Sequence, residues 1–267
     1  MYWILQDFED NHKLGDVLER MGKEYSYHKV VPFVGELMPK PTDIVELDRV
    51  VMFGSYSLRH YAKKHGYTPG VFKLNPYFDE SRWWPYLLNG PHNMKTAELR
   101  DLLYELQINP QEAYFIRPVE DSKEIAGRVM DRQEIIDMVE GVLALEPNEL
   151  IGGSLAPQTR MMFGEPQKIT REWRLWVVND KIITASLYKE GSRVVYREEL
   201  DPYAEEFAKF VISLNPKYSP AYVLDICRTR DSYKIIETNC INAAGFYAAD
   251  LQKLVMAIEE LNHWDIV

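Results

Sequence analysis

The sequence predicts an α+β protein in which a small α/β unit leads and paired antiparallel strands with helices follow. Three observations carry this. Strand-like and helix-like segments alternate between Tyr2 and Phe72, the pattern of a largely parallel sheet. Strand pairs lie between Trp173 and Asn239, the first joined by clear turn residues. The chain of 267 residues is 46% hydrophobic and 27% charged, the composition of a globular protein with a substantial core.

Tyr2–Leu5 and Tyr25–Val31 read as short strands. Between them Leu14, Val17, Leu18 and Met21 recur at helical spacing, which predicts a helix over Lys13–Met21. Arg49–Phe53 is a third apolar run, and Gly54-Ser55 opens a helix-like segment to Lys64. That junction is either a tight turn or a place where backbone N–H groups meet an anion at a helix start. A turn over Gly66–Gly70 leads into Val71-Phe72. Residues Phe78–Leu106 read as helical, with Trp83 and Trp84 as packing anchors between two lobes.

Ala113–Ile116 is a strand ending at Arg117-Pro118, before a polar loop with Asp121, Ser122 and Lys123. Asp131 is the N-cap candidate for a helix through Leu145, because Ile135, Met138, Val139, Val142 and Leu145 share one face. Leu150–Ala156 reads as a buried strand. Gln158–Lys168, with Met161, Met162 and Phe163, reads as an insertion, either a lid or packing. Trp173–Val178 and Ile182–Tyr188 form a hairpin through Asn179-Asp180-Lys181. Asp201-Pro202 starts a helix as N-cap and first residue, and Phe207, Phe210, Val211 and Leu214 keep its spacing until Asn215-Pro216. Ala221–Cys227 and Tyr233–Asn239 are two further strands, and a closing helix carries Leu251, Leu254, Val255, Ile258 and Leu261.

Acidic residues number 41 against 31 basic ones, a formal charge of −10. That balance argues against a protein that coats nucleic acid, and the interspersed signs argue against an acidic block that mimics it. Two cysteines give no disulfide scaffold and fit a reducing compartment. The start, Met1-Tyr2-Trp3-Ile4-Leu5-Gln6-Asp7, lacks the basic-then-apolar pattern of a signal peptide, and no run of about 18 apolar residues is present to span a bilayer. The expected compartment is the cytoplasm, that of a host cell if the protein is phage-encoded, with no membrane partner. The six histidines show no metal-ligand spacing, and no Walker A, dinucleotide or Gly-x-Ser-x-Gly pattern is found.

The chemistry concentrates in the strands after Ala221. Alternation puts Asp225 on one face with Leu224 and Ile226 on the other, and puts Glu237 and Asn239 together with Ile236 opposite. With a three-residue loop, Arg230-Asp231-Ser232, Asp225 lies across from Glu237, Cβ atoms about 5 Å apart. Facing carboxylates repel and need a cation, a shared proton or an arginine between them. Oxygen ligands from Asp, Glu and Asn suit magnesium, which takes few protein carboxylates and fills its shell with phosphate oxygens. The competing reading is a solvent-facing strand pair with scattered charges. Cys227, on the face of Asp225, and Cys240 read as buried small residues rather than a catalytic thiol.

Asp225 in an apolar strand, Glu237-Thr238-Asn239, and Ala244-Gly245-Phe246-Tyr247 before the last helix resemble the C-terminal signature of the ATP-grasp superfamily. Phe115-Ile116-Arg117-Pro118, Asp121-Ser122-Lys123 with Gly127, and Glu172-Trp173-Arg174 resemble a phage and bacterial clade of that superfamily, marked by two arginines and a lysine. The resemblance implies an ATP-grasp fold, two antiparallel-sheet lobes enclosing ATP, over residues 94–267, after a pre-ATP-grasp α/β domain over residues 1–93. It implies ATP and Mg2+ as cofactors, with Asp225, Glu237 and Asn239 as the metal site and Asn239 also directed at the phosphates. Arg117 stands where many members place a lysine before proline, and a guanidinium there binds phosphate oxygens in a two-pronged manner. Lys123, in the loop that covers the triphosphate, adds a point charge; by itself it reads as a solvated lysine. Arg174 clamps the γ-phosphate or binds the acceptor's carboxylate; its plain alternative is an edge-strand ion pair with Glu172. Arg174 and Lys123 are thus the catalytic candidates. Ser154, Leu155 and Ala156 are the candidates for holding adenine through backbone groups. Only Gly127 follows Lys123, so the glycine-rich phosphate loop of the family is thin here.

The implied activity is that of an ATP-dependent carboxylate–amine (or thiol) ligase acting through an acylphosphate, on a small molecule, peptide or protein. The alternative, motivated by the thin glycine loop, is a nucleotide- or partner-binding protein that keeps the fold without ligating.

Overall fold

In the computed structural model, which describes residues 1–32, 34–42, 44–119, 127–146, 149–150 and 154–261, three sheets follow one another along the chain. The first has the order β3-β2-β1-β4-β5, from β1 (Tyr2–Gln6), β2 (Tyr25–Val30), β3 (Leu37–Met38), β4 (Val50–Phe53) and β5 (Pro69–Gly70). Its pairings are parallel except β2–β3. Helix α1 (Glu9–Arg20) lies with Trp3, Leu5, Val51 and Phe53, and α2 (Leu58–His65) packs with Ile4, Val50 and Met52. Alternate residues of β1 and β4 therefore serve opposite faces, each covered by its own helix. Helix α1 starts earlier than its apolar spacing announces, with Glu9 and Asp10 in its first turn. At the Gly54-Ser55 junction the turn reading holds: the Gly54 amide donates to the Asn242 carbonyl at 2.8 Å and the Ser55 amide to Gln6 Oε1 at 2.7 Å.

The expected helix over Phe78–Leu106 is not formed. Two single 3-10 turns, Tyr77–Asp79 and Trp84–Tyr86, precede a strand, and only α3 (Leu102–Ile108) is α-helical. The tryptophan pair splits: Trp83 is fully buried with its indole donating to the Val211 carbonyl at 2.7 Å, whereas Trp84 is 41% exposed. The second sheet has the order β6-β9-β7-β8, all antiparallel, from β6 (Met94–Glu98), β7 (Ala113–Pro118), β8 (Arg128–Asp131) and β9 (Arg160–Gly164). Asp131 and Glu134 form a capping box at the start of α4 (Arg132–Leu143), which packs with α3 on one face of this sheet. The segment read as an insertion is thus a central strand, with Met161, Met162 and Phe163 all buried. Ser154–Ala156, expected at the end of a strand, is irregular; Ile151, Gly152 and Gly153 lie outside the described residues.

The third sheet has the order β12-β11-β10-β13-β14, from β10 (Arg171–Val178), β11 (Lys181–Glu190), β12 (Arg193–Arg197), β13 (Ala221–Arg228) and β14 (Tyr233–Asn239). Trp173, Leu175, Val177, Tyr222, Leu224 and Ile226 face α5 (Pro202–Leu214). On the other face Trp176, Val178, Ala221 and Val223 join the core of the first sheet, together with α6 (Leu251–Glu259). The remainder of that face, around Glu172, Arg174 and Asp225, carries the charges. Among the described residues, no helix is long and apolar enough to cross a membrane.

Candidate active site

Direct pairing across three strands sets a charged row on the third sheet: Arg174 of β10 lies opposite Asp225 of β13, which lies opposite Glu237 of β14. The Asp225–Glu237 opposition arises differently from the expectation. The loop between β13 and β14 is one residue longer, with Arg228 facing Tyr233, and a bulge beside Ile236 takes up the extra residue. The two departures cancel at the carboxylates.

Asp225 is 1% exposed, and Arg174 grips it with both prongs, Nε to Oδ1 at 2.9 Å and Nη2 to Oδ2 at 2.7 Å. Strand β10 is central, so Arg174 pairs with Asp225 rather than with its strand neighbour Glu172. The guanidinium also reaches the Gly245 carbonyl at 3.4 Å and lies 4.6 Å from the Tyr247 ring centroid. Tyr247 has φ 48° and stacks on Tyr196 at 5.0 Å. From the second sheet, Arg117 of β7 crosses to hydrogen-bond Glu237 Oε2. The Asn239 amide then ties the carboxylates together, donating to Glu237 Oε1 at 2.9 Å and to Asp225 Oδ2 at 3.3 Å.

Burial pushes the Asp225 carboxyl above its ordinary range; the Arg174 contact opposes that rise, and Glu237 adds to it. Burial acts on Glu237 as well, but Arg117 and Asn239 outweigh it and hold that carboxyl low. Burial likewise works against the Arg174 cation, and Asp225 more than compensates, so its pKa rises. Burial pushes the Cys227 thiol up, which leaves it without thiolate character at neutral pH.

Above this row lies a cleft of about 700 Å³ between the second and third sheets, lined among others by Arg117, Gly127, Glu172, Lys189, Glu237 and Asn239. Arg174 and Asp225 are not in its lining; they lie beneath its floor. Gly127 belongs at the wall because a Cβ there would meet the Phe115 ring at 2.9 Å. Arg117, Arg174, Asp225, Glu237 and Asn239 are thus brought together, while Lys123 lies outside the described residues. Ser154, Leu155 and Ala156 are not in the cleft lining: Leu155 packs into the core of the second sheet, and the Ala156 amide donates to Thr159 Oγ1 at 2.9 Å.

Two groups at the cleft are not among the site residues expected from the sequence, although one, Glu172, belongs to a motif noted there. Glu172 accepts from the Tyr188 hydroxyl at 2.7 Å and pairs with Lys189 at 2.8 Å; the signal available was a glutamate inside a strand, where acids are depleted. Asn89, 3% exposed, carries a side-chain oxygen without a hydrogen-bond partner among the described residues. It follows an irregular turn, and nothing in its local sequence marks it. No group of three or more His, Cys, Asp or Glu side chains among the described residues could hold a metal ion. The oxygens that suit a hard cation are those of Asp225, Glu237 and Asn239.

The profile of an ATP-grasp domain, family 3 of the clade named for two arginines and a lysine, matches residues 23–258. No curated protein matches the sequence. Among solved structures, the D-alanine–D-alanine ligase from Bacillus anthracis complexed with ATP aligns at 13% identity and TM-score 0.61, covering 97% of this chain and 95% of that one. A RimK domain protein ATP-grasp from Sphaerobacter thermophilus aligns at 11% identity and TM-score 0.60, over 100% and 99%. The macrocyclase MdnC bound with precursor peptide MdnA, from Microcystis aeruginosa, aligns at 12% identity and TM-score 0.54, over 97% and 100%. At these identities the likeness is one of fold.

Proposed function

The chain belongs to the ATP-grasp domains, in family 3 of the two-arginine-and-lysine clade, and from that premise we propose that it is an ATP-dependent ligase that joins a carboxylate to an amine or thiol. The observation that carries the reading is the charged row at the cleft floor, where two arginines, two carboxylates and an amide converge from segments as far apart as Arg117 and Glu237. Desolvating so many charges costs several kcal/mol per ion, so stability alone gives little reason to assemble them beside a cleft.

In this reading ATP lies in the cleft between the two antiparallel sheets with Arg117 on its phosphates, and the resemblance to the clade assigns Lys123 to the phosphates as well. A substrate carboxylate oxygen attacks the γ-phosphorus, the bond to the β–γ bridging oxygen breaks, and ADP leaves. The amine or thiol then attacks the acyl carbon, the carbon–oxygen bond to phosphate breaks, and the nucleophile's proton passes to solvent. The protein's part is positioning and charge stabilisation. Arg117 can serve the phosphates because it lines the cleft, and Arg174, fixed on Asp225, keeps the floor rigid beneath the transferring group. Magnesium, when bound, would neutralise charge between phosphate oxygens, and Glu237, Asn239 and Asp225 are the oxygen donors that fit it. All four carboxylate oxygens accept from arginine or amide donors in the structure, and a move of Arg117 from Glu237 to phosphate would leave Glu237 freer to meet the ion.

The division into a pre-ATP-grasp unit over residues 1–93 and an ATP-grasp domain over residues 94–267 belongs to the same proposal, as does a cytoplasmic location. The first sheet ends at Gly70 and β6 begins at Met94, which supports the division. The acceptor is a small molecule, a peptide or a protein; the structural relatives named above include a D-alanine–D-alanine ligase and a macrocyclase bound with a precursor peptide. A second reading, a nucleotide-binding protein that does not ligate, draws on the carboxylates being neutralised already by the arginines.

The test is ATP turnover against pooled carboxylates and amines, with mass spectrometry of the products. ADP, phosphate and a condensed product are expected, whereas nucleotide binding without product favours the second reading and no nucleotide binding overturns both. Glu237→Gln should abolish turnover while the protein stays folded. Arg117→Ala should weaken ATP binding by about 1.5–3 kcal/mol, the usual value of hydrogen bonds to charged groups, and weaken AMP binding far less.

A further inference from the structure

A second cavity, of about 240 Å³, opens on the other side of Arg117 and is lined also by Tyr56, Arg59, Asn75 and Thr238. A third, of about 510 Å³, is lined by Arg59, His60, Lys63 and Lys73 among others. Arg59 lines both, so the two cavities adjoin there, and each draws one wall from α2 or the residues just before it and the other from the segment Val71 to Tyr77. Taken end to end, the two adjoining cavities trace a groove from Arg117 out along the first unit.

Its charge is one-sided. Arg59, Lys63 and Lys73 line the groove, with Arg117, itself paired to Glu237, at its inner end, and among the described residues no carboxylate lines either part of it. In a chain of formal charge −10 such a cation track is unexpected. Arg59, Lys63 and Lys73 have no acidic partner among the described residues, whereas Lys64, one residue along α2 from Lys63, pairs with Glu36. Arg59 is held in place, with Nη1 donating to the Tyr56 carbonyl at 3.0 Å and the guanidinium 4.0 Å from the Tyr56 ring centroid. Arg59 and Lys63 are four residues apart on α2, which puts them on one face, about 6 Å apart. Alternate side chains of an extended peptide repeat at about 6.6 Å, a near match.

We propose that this groove binds an extended acidic peptide segment, with carboxylates on alternate residues meeting Lys63 and Arg59, the intervening one meeting Lys73 on the opposite wall, and the leading one delivered to Arg117. The inference rests on the ligase reading only for what happens to that leading carboxylate; the binding itself follows from the shape and charge of the groove.

The probe is a fluorescently labelled tetraglutamate peptide, with tetraglutamine as the neutral control, measured by anisotropy at low ionic strength on the full chain. Tetraglutamate should bind at least about tenfold more tightly than tetraglutamine, and the triple variant Arg59→Ala, Lys63→Ala, Lys73→Ala should lose about tenfold or more. All three side chains are at least partly exposed, and circular dichroism of the variant checks that it folds. A non-hydrolysable ATP analogue should bind variant and wild type alike. The proposal is overturned if tetraglutamate does not bind, if the neutral peptide binds as well, or if the triple variant binds as tightly as wild type. Failure of the ATP analogue to bind the wild-type chain would instead overturn the nucleotide reading and leave the groove result standing.

Discussion

Arg174 shows how little a single residue can be read apart from its neighbours in space. It has two acids within reach of a sequence argument, Glu172 on its own strand and Asp225 fifty-one residues away, and the structure selects the second. The pair is buried, so breaking it should be costly: Arg174→Met leaves Asp225 an unpaired buried charge and should destabilise by about 3–5 kcal/mol in urea unfolding. Adding Asp225→Leu should restore most of that loss, since the stranded charge is gone. A single variant as stable as wild type would mean that Asp225 simply takes up a proton. The types of the residues at this site were legible because carboxylates in apolar strands are rare and because their alternation is strict. What was not legible was depth: the pattern puts Asp225 and Glu237 on one face, yet only Glu237 reaches the cleft lining.

At the level of elements, turns with distinctive chemistry were read well and tertiary contacts were not. Asn179 and Asp180 adopt φ 48° and 57°, the positive pair that a tight two-residue hairpin needs. Asn179→Val should therefore cost about 1–2 kcal/mol, while Asn179→Gly should change stability by less than half of that; thermal unfolding decides. In the β13–β14 hairpin the loop is one residue longer than the turn residues suggest, and the bulge at Ile236 restores the carboxylate register. The stretch from Phe78 to Leu106 misleads for a different reason. Trp83 and Leu87 join the core around α5, and the Leu88 amide donates to the Ile235 carbonyl at 2.7 Å, so distant partners rather than local spacing set their backbone. Met161–Phe163 likewise gives no period to read, because every residue of that run is buried.

At the scale of the molecule, the first strand and the last helix share one core. Glu259 of α6 accepts from the Trp3 indole at 2.7 Å and from Lys23 at 3.3 Å. Burial alone would push that carboxyl up, but the Trp3 hydrogen bond and the nearby cations, Lys23 among them, hold it below its ordinary range. A lowered carboxyl contributes stability that is present above the unfolded carboxylate range and is lost as pH falls through the folded value. Glu259→Gln should accordingly cost about 1–2 kcal/mol at neutral pH, and the gap to wild type should close towards acid; a gap independent of pH would assign the loss to packing. The third sheet is thus welded to the first unit through a dry core; the second sheet shares a core with it through Met94, Val119 and Met162, and across the cleft adds Arg117 on Glu237. That contact acts as a latch. Removing it in Arg117→Met should raise amide exchange in β7 and β8 while β10 and β13 stay protected, and equal protection would show that packing alone holds the jaws. In the ligase proposed above, an arriving triphosphate would offer the same guanidinium a stronger anion, so the key that enters the lock would also be what releases the bolt.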